Sequence, residues 1–158
     1  MVVLLVAILT SPVTLLSLAF WAASDSWEFA GGGFRHWVFV KGSIVDRLGS
    51  VASDGAPIRY IVRLEEGTDP GEIAAVYDSD AQPVAVVQAY AERCLALGLP
   101  IEREFVSPDG AEAKLGCESD PGAGWLDDVR IHAERKAGAA VTRVRVFAGP
   151  GLIATYNF

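Results

Sequence analysis

Residues 83–118 read PVAVVQAYAERCLALGLPIEREFVSPDGAEAKLGCE, and this stretch decides the fold. Its first half has the period of a helix. Val84, Val87, Tyr90, Ala91, Cys94 and Leu97 share one face; Ala85, Gln88, Ala89, Glu92, Arg93 and Ala96 share the other. Pro83 suits the first helical position and Gly98 the position just past the end, and Pro100 bars continuation. The period then changes from about 3.6 residues to 2. Ile101 to Val106 predicts a strand, and Ser107-Pro108-Asp109-Gly110 a turn with proline at its second position and glycine at its fourth. From 111 to 118, Ala111, Ala113, Leu115 and Cys117 point one way, and Glu112, Lys114, Gly116 and Glu118 the other.

Alternation continues outward on both sides. Val129, Ile131 and Ala133 alternate with Arg130, His132 and Glu134. Val144 and Val146 alternate with Arg143 and Arg145. Upstream, Ile58 to Glu65 (IRYIVRLE) has the period of a half-buried strand. Ile73 to Tyr77 is short and apolar, and a strand is favoured there over a helical turn capped by Asp69. Phe34 to Lys41 (FRHWVFVK) is rich in aromatic and β-branched residues, which predicts another strand. Residues 43–53 connect, with room for one helical turn. Leu152 to Phe158 is an apolar tail that either pairs at an edge or packs on the helix.

The first twenty-four residues, MVVLLVAILTSPVTLLSLAFWAAS, carry no charged side chain. At about 1.5 Å per residue, Val2 to Ala23 is long enough to cross a hydrocarbon core of about 30 Å. Phe20, Trp21 and Trp27 stand where an aromatic belt belongs. Cleavage after Ser24 is the competing reading, with Ala22 and Ser24 as the small residues before the cut. The leader lacks Lys and Arg and exceeds the usual apolar length of a signal, which favours retention. The expected class is therefore α+β: an N-terminal transmembrane helix followed by a two-layer domain, one main helix packed on an antiparallel sheet. The expected organisation is an anchor or signal over 1–24, a flexible joint over 25–33 built on Gly31-Gly32-Gly33, and a soluble domain over 34–158.

Formal net charge is −7, all of it after the leader. That excludes a nucleic-acid binder working through a broad basic face. It also weighs against an acidic body lying along anionic lipid. Cys94 and Cys117 are the two cysteines, both predicted to face the core, and in an exported domain such a pair implies a disulfide. His36 and His132 lack ligand spacing to either, so neither metal nor other cofactor is expected. Asp78-Ser79-Asp80 opens like a calcium loop but lacks the later glycine and glutamate.

Candidate chemistry is sparse. His132 and Glu134, with Arg130, share a polar strand face, an arrangement open to general-base catalysis but equally to an ordinary solvated face. Arg143 and Arg145, with Arg130 beside them, form a basic stripe able to hold an anionic ligand; salt bridges to Glu112 and Glu118 are the plainer account. Phe34, Trp37 and Phe39 lie in an apolar patch able to meet lipid or a partner, and are the partner-binding candidates, although core packing is the plainer account. The functional expectation is a single-pass, membrane-tethered, non-enzymatic accessory or assembly subunit. Its domain lies in the periplasm or an equivalent exported compartment and binds a larger membrane protein complex, while residues 2–23 sit in lipid. The alternative is a secreted small-ligand-binding domain released by cleavage after Ser24.

Overall fold

A computed structural model describes residues 26–51, 55–63, 71–118 and 128–149. The leader, residues 119–127 and the apolar tail lie outside the described residues. Among the described residues no helix is long and apolar enough to cross a membrane.

The domain is a mostly-sheet α+β fold. The strands are β1 (Ser26–Ala30), β2 (Arg59–Arg63), β3 (Glu72–Ser79), β4 (Ile101–Val106), β5 (Glu112–Glu118), β6 (Asp128–Glu134) and β7 (Thr142–Gly149). The helices are α1 (Phe34–Phe39), α2 (Ile44–Leu48) and α3 (Pro83–Ala96). All seven strands form one sheet in the order β1-β2-β3-β7-β6-β5-β4, every neighbouring pair antiparallel. The chain runs β1 to β3 as a meander, crosses through α3 to the far edge, and returns through β4 to β7, which closes against β3.

The alternation read from the sequence becomes two faces. Ala113, Leu115 and Cys117 of β5, Val129, Ile131 and Ala133 of β6, and Val144, Val146 and Ala148 of β7 are all buried. Over them α3 lays Val86, Val87, Tyr90 and Cys94, each at most 1% exposed. At roughly 25 cal/mol per Å², each such valine contributes about 1.5–3 kcal/mol of burial. Cys94 and Cys117 meet as a disulfide from α3 to β5, as expected.

Two readings upstream are corrected. Residues 26–30 are not part of a flexible joint but strand β1, paired along its length with β2. Trp27 accordingly leaves the expected aromatic belt: it is 6% exposed, part of the core. The period-2 signal was present, with Trp27 and Phe29 half-buried or buried and Ser26, Glu28 and Ala30 exposed. Phe34–Lys41 is not a strand either; its first six residues form α1. The same residues satisfy the helical template, because Phe34, Trp37 and Val38 are exposed while His36, Phe39 and Val40 turn inward. With β1 occupying the sheet edge, the chain reverses at Gly32 (φ +86°) and folds back over the sheet's inner face.

Candidate functional site

Two surfaces hold the residues singled out in the sequence. The first is the face of the sheet opposite α3. Register places Asp78 opposite Arg143, Arg143 opposite Glu134, Arg145 opposite His132, and His132 opposite Lys114. The result is a ladder of charge pairs. Arg143 Nε donates to Asp78 Oδ1 at 2.7 Å, and Arg145 reaches Glu134 Oε1 at 3.4 Å. His132 Nε2 lies 2.8 Å from Glu112 Oε1, and Lys114 Nζ lies 3.2 Å from the same oxygen. The carboxylate partners of Arg143 and Arg145 are thus Asp78 and Glu134, not the expected Glu112 and Glu118. Arg130 sits on the same face, half-buried, opposite Gly116 and Phe147.

Arg145 also points a guanidinium nitrogen at His132 Nδ1, 3.4 Å away. A guanidinium only donates, so Nδ1 accepts and Nε2 carries the proton given to Glu112. Both ring nitrogens are therefore engaged within the ladder, and neither is aimed at an incoming substrate. Glu112 is pulled both ways. Desolvation is the largest influence and raises its pKa, but the hydrogen bonds from Lys114 and His132 together win and hold it below the usual carboxylate range. Beside the ladder, Asp78, Glu134, Lys136, Val141, Arg143 and Arg145 line a cleft of about 200 Å³. Among the described residues no group of three or more His, Cys, Asp or Glu stands where it can hold a metal ion.

The second surface is α1. Phe34 is 72% and Trp37 67% exposed, their rings stacked with centroids 6.3 Å apart, and Val38 is 40% exposed. Phe39, expected beside them, turns the other way and packs its ring 4.8 Å from that of Trp27. Only two of the three proposed partner-binding aromatics are thus presented together. Arg35, Lys41 and Arg47 are exposed around this stripe.

The sequence reading missed what holds α1 and α2 in place. Tyr77 and Tyr90 bring their hydroxyls together under α2. The Val51 N–H donates to the Tyr77 oxygen at 3.0 Å, and the Tyr90 hydroxyl donates to the Gly49 carbonyl at 2.8 Å. Tyr90's proton is committed to Gly49, so Tyr77 donates to Tyr90, and the chain of donors runs in one direction. Arg93 adds a bond to the Leu48 carbonyl at 2.8 Å, closing the end of α2. Burial pushes both tyrosines above their ordinary pKa. A second staple, Arg135, reaches the Asp80 and Ala81 carbonyls and Thr142 Oγ1, fixing the loop before α3. Neither was legible, because each joins residues far apart in the chain.

No family model, curated protein or solved structure matches this chain.

Proposed function

We propose that this chain is a membrane-tethered, non-enzymatic accessory or assembly subunit that works beside a larger membrane protein complex. The observation that carries the reading is how little chain separates leader from fold. The apolar run ends at Ala23, and β1 begins at Ser26 as a hydrogen-bonded strand of the sheet. With residues 2–23 in a bilayer, such a domain has no slack. It holds a fixed side toward the membrane, and α1 offers its exposed aromatic pair on the element packed against that first strand. A rigidly presented apolar surface suits positioning and docking.

The cysteine pair supports an exported compartment, where such bonds persist. Solubilised native membranes resolved by size should carry this chain with a larger integral complex. Recovery only as a free monomer would overturn the reading.

A second reading is a secreted domain, cut after Ser24, that holds a small anion in the 200 Å³ cleft. Lys136, Arg143 and Arg145 favour it, although Asp78 and Glu134 already engage the two arginines. N-terminal sequencing separates the two, since Asp25 as first residue removes the tether.

A further inference from the structure

We infer that the exposed stripe of α1, with its basic flanks, seats the domain in the anionic headgroup layer of the bilayer that holds the leader. The inference rests on the tethered reading above and names what that surface touches. Three observations lead to it.

The first is reach. Trp27 lies four residues past Ala23, no more than about 13 Å of extended chain at roughly 3.3 Å per residue. Phe39 packs on Trp27, and His36 packs its ring 4.8 Å from that of Tyr60, the neighbour of Phe29. Helix α1 therefore runs back along β1 toward the leader, and Trp37 sits between those two levels. Trp37 then stands up to about 17 Å along the chain axis from Ala23, and the headgroup layer is about 5–8 Å deep on each side of the hydrocarbon, so Trp37 enters it when β1 lies steeply tilted, at roughly 60° or more from the membrane normal.

The second is the pattern on the stripe. Phe34, Trp37 and Val38 recur at helical spacing, and Lys41 follows at the next step. Aromatic rings favour the level where hydrocarbon gives way to water, and a lysine stem covers apolar surface while its ammonium reaches the phosphates.

The third is charge. Over residues 25–51, Arg35, Lys41 and Arg47 are matched in number by Asp25, Glu28 and Asp46, but Glu28 leaves β1 on the face opposite Trp27 and pairs with Arg59, and of the three bases Asp46 engages only Lys41, at 3.9 Å, so Arg35 and Arg47 stand as the basic excess beside the stripe. Beyond about 8 Å the acidic remainder is screened at physiological salt, so this local excess decides what the surface meets. The sequence-level argument against anionic lipid holds for the body of the domain and fails at this one patch.

The test uses the full chain in vesicles of phosphatidylcholine with phosphatidylglycerol, prepared with and without brominated acyl chains. Emission of Trp37 is isolated as the difference between the wild type and Trp37→Phe, and that of Trp21 likewise through Trp21→Phe. The expected result is loss of Trp37 emission in brominated anionic vesicles. That loss should weaken in pure phosphatidylcholine and in the triple variant Arg35→Glu, Lys41→Glu, Arg47→Glu. Trp37 emission unchanged by bromine while Trp21 is quenched would overturn the lipid seat, keep the tether, and leave the stripe to a protein partner. Release of the chain by alkaline carbonate with Trp21 unquenched would overturn the tether, and this inference with it.

Discussion

Tyr90 is fully buried, yet its hydroxyl and that of Tyr77 are the hinge pins between α3, β3 and the segment after α2. Removing one oxygen there strands the groups it served. Tyr90→Phe leaves the Gly49 carbonyl and the Tyr77 hydroxyl short of a partner, at a cost of about 1–3 kcal/mol, measurable by urea unfolding. The same burial gives a pH dependence. Both tyrosines have folded-state pKa values raised above the ordinary 10.0, so the folded chain holds their protons more tightly than the unfolded one. The stability this represents is fully present below about pH 10 and is lost as pH rises from there toward the folded-state values. Melting followed from pH 8 to 11 should fall steeply at the alkaline end, and less steeply in Tyr90→Phe.

Glu118 follows the same sign at a lower pH. A hydrogen bond with Glu102 is the largest cause raising its pKa, followed by desolvation and by the charges of Glu102 and Asp128. Its charged form is therefore disfavoured in the fold, and the penalty exists above the ordinary 4.5 and is relieved as pH falls. Glu118→Gln should melt higher than wild type at pH 7 and level with it near pH 4. A lower melting temperature at pH 7 would show that Glu118 is stabilised by a neighbour instead.

At the scale of elements, α3 and strands β4 to β7 were legible because each carries one unambiguous period between hard stops. Pro83, Gly98, Pro100 and Gly110 mark those stops, and the exposed or buried state of nearly every alternating residue follows. Val86 is the exception on α3: it is fully buried although the sequence reading left it off the core face. Residues 26–41 were misread for a different reason. FRHWVFVK fits period 2 and period 3.6 equally well, and what arbitrates is non-local: β1 had already taken the sheet edge. The arginine stripe was found, but its partners were not, because Asp78 lies on a strand whose place beside β7 depends on the α3 crossover.

The far edge makes a separate point. All six residues of β4 are exposed, the pairing with β5 shifts register between Ile101 and Arg103, and Glu104, opposite buried Leu115, leaves the strand on the α3 side of the sheet while staying exposed. An irregular edge with an inward-placed charge resists strand addition. Next to this edge the disulfide adds a covalent tie to the sheet's hydrogen bonds, spanning 23 residues of sequence between α3 and β5. Its removal as Cys94→Ala, Cys117→Ala should cost about 3 kcal/mol by loop-closure entropy. Equilibrium unfolding of the double variant checks it. Phe34→Ser with Trp37→Ser, by contrast, touches surface side chains and should change stability by no more than about 0.5 kcal/mol. A larger loss in that unfolding curve would make α1 part of the core.

For the whole molecule, the polarity of the chain is the organising fact. An uncharged apolar leader precedes, by three residues, a sheet whose inner face is covered by helices and whose outer face carries a ladder of paired charges across β3, β7, β6 and β5 beside the apolar Ile61, Ala74, Val76 and Phe147. The fold shows how the segment around α2 is held on α3 and β3 and how α3 is joined to β5. The most direct measurement is the intact mass of the chain recovered from carbonate-washed membranes, taken with and without reductant. The expected result is a chain that still carries residues 2–23, heavier after reduction by the two hydrogens of one disulfide. A product beginning at Asp25, or a mass that reduction does not change, would contradict it.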